Sequence, residues 1–302
     1  MAMAACEHVV PGSAFLVTIG SSCGHEDSSE LWNGAEMLPL TSGGAARALH
    51  VVRAVATERP AERRGAMDEL GTVLGVWGHP DDETYLSAGL MAHAARSGSR
   101  VVDVTATRGE GGSMDEERWP SETMGEVRER EMQRSLAVLG VREHHFLGLP
   151  DIDMDTALPE EGAAKVRAMM LEVDPDTVLT FGPEGMTGHE GHKSVSRWTT
   201  QAFRDVAKPG ARLYYAVYTQ DWADEFVPKL NGFDIFRAGT PPIHPREDLA
   251  IAFVLSPELL ELKMRAIMEH ESQVEALFEA FGEEFFRRAM REESFRLAEV
   301  KA

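Results

Sequence analysis

What most restricts the fold of this chain is an alternation, from residue 72 onward, of short apolar runs with longer amphipathic segments. Residues 72–78 read as a buried strand, because so short an unbroken apolar run suits a strand covered on both faces. A helix over 84–97 follows, with Leu86, Leu90, Met91 and Ala94 at helical spacing and Gly98 closing it. The pattern repeats as strand 100–107, helix 123–139 stopped by Gly140, strand 145–149, helix 159–173, strand 177–181 and helix 191–207. Strands 212–218 and 249–255 complete the set, and helices fill 257–299. Such alternation predicts an α/β fold, a mostly parallel sheet with helices on both faces. Ligands of such sheets collect at the carboxyl ends of the strands.

Two clusters of ionisable residues stand at strand ends. The first is His79-Pro80-Asp81-Asp82-Glu83, directly after the first strand. The second, His189-Glu190-Gly191-His192, follows the strand at 177–181 and a glycine-rich turn over 182–188. Crowded like charges destabilise a strand–helix junction, and a cation turns that repulsion into ligation. His79 and Asp82 are close enough to share one ion, and His192 can close the set from another strand. Two imidazoles and a carboxylate leave a fourth position for water, the open arrangement of a catalytic zinc site. The same set suits iron or manganese. Zinc brings the pKa of water towards ~7 and polarises carbonyls. Asp81, beside a ligand but free, is the candidate general base. His189 is the candidate for stabilising an oxyanion or protonating a leaving amine, and at this level the two roles can be exchanged. The plainer reading of Asp81-Asp82 is a helix cap with first-turn acid. Two clusters with complementary ligand types, both at strand ends, favour the metal. Glu83 is assigned to the helix N-terminus or to a contact behind the ligands. His93, His144, His145, His244 and His270 stand without such support and read as structural.

Charge and cysteine usage narrow the partners. With 30 basic and 50 acidic residues the net charge is −20, which repels nucleic acid and anionic membrane and leaves a small-molecule substrate. No apolar run is long enough to span a bilayer, and the run at 14–19 is too short for a signal peptide. Cys6 and Cys23 are the only cysteines, which excludes a disulfide scaffold downstream and makes the cytoplasm the expected compartment. A homo-oligomer is compatible with all of this. Residues 1–66 contain no lysine and no sustained period, and read as a poorly ordered N-terminal extension to a domain at 67–302. Met67 is a candidate for the true start.

The residues 78–83, Gly-His-Pro-Asp-Asp-Glu, resemble the AHPDDE signature of the LmbE-like, PIG-L family of zinc-dependent N-deacetylases. The stretch 180–192 resembles that family's second motif, and the likeness runs in one order through 107–111, 127–132, 147–151 and 263–273. This resemblance implies a Rossmann-like fold, zinc on His79, Asp82 and His192, Asp81 as base and His189 as its electrostatic or acid partner. It also implies that Arg128 and Asp151 contact the sugar, as in members acting on N-acetylglucosaminides. Two departures stand out. Gly191 occupies the place of an acid that orients a neighbouring imidazole, and Thr187 stands where some members carry a tyrosine. The expected activity is removal of a small N-acyl group, chiefly acetyl, from an amino sugar or similar amide. The rivals are an amidase for a bulkier thiol-conjugate or lipopeptide amide, and a non-catalytic ligand-binding relative. The loops 108–122 and 219–247 are expected to wall the pocket. A nicotinamide enzyme is disfavoured because no G-x-G-x-x-G follows the first strand.

Overall fold

β1 (Val73–Trp77) runs through the middle of an eight-stranded sheet, and all five of its residues are buried. The computed structural model describes residues 70–151, 159–233, 235–237 and 241–300. The expectation of a poorly ordered extension at 1–66 lies outside those residues.

From β1 the chain enters α1 (Asp82–Arg96), β2 (Val101–Thr105), α2 (Ser121–Leu139) and β3 (Glu143–Phe146). It returns through α3 (Pro159–Val173) to β4 (Thr177–Phe181), then α4 (Glu190–Val206) and β5 (Arg212–Thr219). The strand order is β3-β2-β1-β4-β5, all parallel, with Val73 opposite both Val101 and Thr177. Because the chain leaves β1 in one direction and comes back past it, right-handed crossovers put helices on both faces. α1 packs with α2, and α3 packs along α4. The order reverses between β1 and β4, which is where open α/β sheets form their crevice. That is the Rossmann-like arrangement expected.

The C-terminal part departs from expectation. α5 (Gln220–Leu230) fills a stretch expected as loop, started by Thr219, whose hydroxyl accepts from Trp222 N. Two residues, β6 (Ile243–His244), pair with β5. After β7 (Ile251–Val254), α6 (Pro257–Met268) and α7 (Glu271–Ala289), the chain forms β8 (Glu292–Leu297), where helix was expected. β8 lies antiparallel between β5 and β7, with Phe295 opposite both Ala216 and Ile251. Its charged sequence carries little strand signal of its own, and two flanking strands supply the pairing that makes it one.

The core is continuous across the sheet. Trp77 and Phe181 meet edge to face at 5.1 Å, both fully buried, and each such side chain contributes about 1.5–3 kcal/mol by burial. Some polar groups enter this core as bonded sets, whereas Trp77 Nε1 and Trp198 Nε1 are buried without a partner. In mid-α1, Gly89 N and Leu90 N donate to the Glu293 carboxylate at 2.7 and 2.8 Å. Lys263 Nζ donates to Tyr85 O at 2.7 Å and to Glu293 Oε1 at 2.8 Å, so an ion pair from α6 and β8 is docked on α1. Gly89 lets Leu255 pack against α1, since a Cβ there would lie 2.2 Å from Leu255 Cδ2. Among the described residues no helix is long and apolar enough to cross a membrane.

Candidate active site

Both ionisable clusters meet at the carboxyl ends of β1 and β4, side by side at the crevice. β1 ends at Trp77, and the next residues turn so that Asp82 Oδ2 accepts from Gly78 N at 3.2 Å and from His79 N at 2.8 Å. This anchors one carboxylate oxygen on backbone and leaves Oδ1 facing His192 Nε2 at 3.4 Å. The His192 ring stacks on Phe181 at 4.1 Å and 4°. Its Nδ1 lies 3.0 Å from Gly185 O, which can only accept, so the proton sits on Nδ1 and Nε2 presents a lone pair. His79 is set the other way round. Its Nε2 donates to Asp151 Oδ1 at 3.0 Å, leaving Nδ1 to face His192 Nε2 at 3.1 Å and Asp82 Oδ2 at 3.5 Å.

Three acceptors therefore converge with no donor between them. Ligands at zinc-like bond lengths in a tetrahedron lie about 3.3 Å apart, which matches the 3.1 Å between His79 Nδ1 and His192 Nε2 and the 3.4 Å between His192 Nε2 and Asp82 Oδ1, while the 3.5 Å contact of His79 Nδ1 is to the backbone-bound Oδ2. The electrostatics agree. Burial opposes a charged His79, yet Asp151 and Asp82 outweigh it and raise its pKa to about 9. Burial would also raise Asp82, but His192 and His79 hold it well below the usual carboxylate range. The pocket calls for positive charge, which a divalent cation supplies as readily as a proton, so these residues fit a metal ion.

His189 lies beside this set, its ring 5.0 Å from those of His79 and His192, and together the three imidazoles form a cluster able to hold a metal. It also begins α4. Its Nδ1 accepts from Gly191 N at 3.1 Å, so the ring's proton is assigned to Nε2. Burial, then the charges of His79 and Arg237, lower its pKa to about 4, and the ring is neutral at pH 7. With no carboxylate at 191, the ring is oriented by that residue's backbone N–H, a donor any residue but proline supplies there. This commits His189 Nδ1 as an acceptor and makes it a poor third ligand.

Asp81 occupies the cap position of α1 without acting as a cap. Its side chain makes no capping bond, and its backbone is left-handed at φ 106°. Arg128 from α2 holds it, with Nη2 on Pro80 O at 2.5 Å and on Asp81 Oδ2 at 3.2 Å. Gly109 and Gly112 cradle that guanidinium, since a Cβ at either would lie 2.2 or 2.7 Å from Nη1. Burial raises the Asp81 pKa to about 6, with Arg128 pulling it down and Asp82 pushing it up. Arg128 and Asp151 both line the cleft, but each is already engaged inside the protein. Asp151 also accepts from Thr107 Oγ1 at 3.2 Å and Gly111 N at 2.8 Å.

The cleft has a volume of about 420 Å³. Gly111 and Gly112 from the first expected loop and Arg237 from the second line it, with Gln273 from α7. Gln273 lies in a stretch that shares the family likeness but takes no role from it, and Arg237 carries no motif signal. Arg237 is placed by its N donating to Thr187 O at 2.7 Å, a contact that no local pattern announces. A larger depression of about 670 Å³ beside it holds Arg108 and four glutamates but no imidazole.

Comparison with known proteins shows the family and the fold. The PIG-L family, described as GlcNAc-PI de-N-acetylase, matches residues 74–203, which include every residue of both clusters. A 1D-myo-inositol 2-acetamido-2-deoxy-α-D-glucopyranoside deacetylase from Nocardia farcinica is 30% identical over 245 residues, covering 68% of this chain and 80% of that protein. The protein of the same name from Mycobacterium sp. (strain KMS) is 30% identical over 194 residues, and the match spans 57% of this chain and 61% of that relative's length. Among solved structures, N,N'-diacetylchitobiose deacetylase from Pyrococcus horikoshii superposes with a TM-score of 0.53 at 21% identity, covering 78% of this chain and 86% of that one. At that identity the likeness is one of fold. The chain belongs to the PIG-L (LmbE-like) family.

Proposed function

We propose that this protein is a zinc-dependent N-deacetylase that removes acetyl from an N-acetylated amino sugar, with a glucosaminide of the kind named for its relatives as the first substrate to test. The observation that carries the reading is the convergence of His79 Nδ1, His192 Nε2 and Asp82 Oδ1 next to an uncapped Asp81. His79, His192 and Asp82 would hold the zinc, which when bound lowers the pKa of water and polarises the amide carbonyl. Asp81 takes the proton as the water oxygen adds to the carbonyl carbon. His189, neutral and protonated at Nε2, donates a hydrogen bond to the developing oxyanion. The C–N bond then breaks as the nitrogen takes the proton from Asp81, giving acetate and a free amine. Asp151 keeps the His79 ring in the orientation and tautomer that leaves Nδ1 open. The cysteine usage supports a cytoplasmic location.

Asp81→Ala is expected to abolish acetate release while zinc content stays near normal, whereas His79→Ala and His192→Ala lower both. Normal turnover by the purified Asp81→Ala protein removes the assignment. Acetate release from N-acetylglucosaminides against release from bulkier amides tests the acyl group, and elemental analysis of protein purified without added metal tests zinc against iron or manganese.

A further inference from the structure

Glu83 is the one ionisable side chain of the first cluster that the mechanism does not use. It is fully buried in the first turn of α1, beside Asp81 and Asp82. A first-turn acid favours the helix dipole equally well from the surface. Burying it among other carboxylates costs stability, so dipole compensation does not explain its place.

Its contacts do. Glu83 Oε2 accepts from Asp81 N at 3.0 Å. The other oxygen, Oε1, accepts from Thr84 Oγ1 and faces His270 Nε2 at 3.5 Å. Thr84 Oγ1 in turn lies 3.0 Å from Ser135 Oγ and 3.3 Å from His270 Nε2, so the carboxylate is fixed from α2 and from the start of α7. A residue at a helix cap ordinarily adopts an extended backbone and spends its side chain on the helix N–H groups. Asp81 instead sits at φ 106°, ψ −29°. For a residue with a Cβ this conformation costs about 1–3 kcal/mol and persists only where the surroundings impose it. The Glu83 carboxylate accepts the very N–H that this backbone turns inward. With the cap bond given up, the Asp81 carboxylate is released towards the cleft.

We infer that Glu83 is a positioning residue: by accepting the Asp81 N–H it holds that backbone left-handed and so aims the Asp81 carboxylate at the substrate. The inference rests on the reading of Asp81 as the base. His270, taken as structural from the sequence, backs the carboxylate from the start of α7.

The test uses Glu83→Met, Glu83→Asp and Glu83→Gln in the full chain, with wild type and Asp81→Ala alongside. Zinc content, melting temperature, kcat and KM are measured on an N-acetylglucosaminide that the wild type hydrolyses. Methionine fills the space without an acceptor. Aspartate keeps the charge but withdraws the acceptor, and it preserves folding should methionine not. Both are expected to lower kcat about 10- to 100-fold, with KM and zinc content within about threefold of wild type. Glutamine retains an acceptor oxygen and is expected to recover most of kcat. Wild-type kcat in the aspartate variant overturns the inference, as does a loss confined to KM or zinc, or a glutamine variant as slow as the aspartate one. An active Asp81→Ala protein instead removes the underlying reading, so the two failures are told apart.

Discussion

Replacing Asp151 by asparagine separates two roles for that carboxylate, a sugar contact as the resemblance implies or an outer partner of a metal ligand as its contacts suggest. Oδ1 accepts from His79 Nε2 at 3.0 Å and from Thr107 Oγ1 at 3.2 Å, while Oδ2 accepts from Gly111 N at 2.8 Å. Burial would raise this carboxyl, yet the bond from His79 holds its pKa well below the usual range. Asparagine keeps one acceptor. Whichever way its amide turns, the NH2 group faces either His79 Nε2–H or Gly111 N–H, donor against donor. If it keeps the His79 bond, a charge-assisted bond of about 1.5–3 kcal/mol becomes a neutral one of about 0.5–1.5. A loss near 1.4 kcal/mol corresponds to about tenfold in affinity, the low end of the 10–100-fold range for outer partners of metal-ligating histidines. Chelator competition on the purified full chain is expected to give metal binding weakened about 10- to 100-fold, with KM within about threefold of wild type once metal is saturating. Wild-type metal affinity with a raised KM would refute the reasoning and return Asp151 to the sugar.

Two further outcomes follow from the same structure. A base must be ionised, so kcat/KM should be full above the Asp81 pKa of about 6 and fall as pH drops through it. Arg128→Met removes a charge that lowers this pKa, so the acid limb should move to higher pH, and an unmoved limb counts against Asp81 as the base. Lys263→Met strands Glu293 as an unpaired buried carboxylate and should cost about 3–5 kcal/mol in urea unfolding. Adding Glu293→Gln removes the stranded charge and should restore part of the loss; a double variant no more stable than Lys263→Met disproves the coupling.

Much of the site was legible because its residues are local to two strand ends. An apolar run broken by His79-Pro80-Asp81-Asp82 can be read as strand, turn and ligands without knowing what lies beside it. Arg128 and Asp151 entered only through the resemblance, and their contacts to Asp81 and His79 bridge 47 residues in one case and join separate strand ends in the other. Gln273 fell inside the family likeness without a role assigned to it, and Arg237 had no periodic or motif signal. The plain reading of Asp81 as a cap failed because Arg128, from another helix, bonds its carboxylate, while Glu83, backed by the distant His270, takes its N–H.

The sequence by itself determined the alternation of strands and helices, the kinds of side chain at the ends of β1 and β4, and hence the class of chemistry those ends can support. These follow from periodicity and residue type, which are properties of short segments. Only the tertiary structure decided that β1 and β4 are neighbours, that β8 completes the sheet between β5 and β7, and that Glu293 and Lys263 enter α1 as a pair. It also decided the tautomers of His79, His189 and His192: an acceptor takes the ring proton of His79 and of His192, and a backbone donor occupies the unprotonated nitrogen of His189. Pairing, burial and proton placement depend on what the rest of the chain brings alongside.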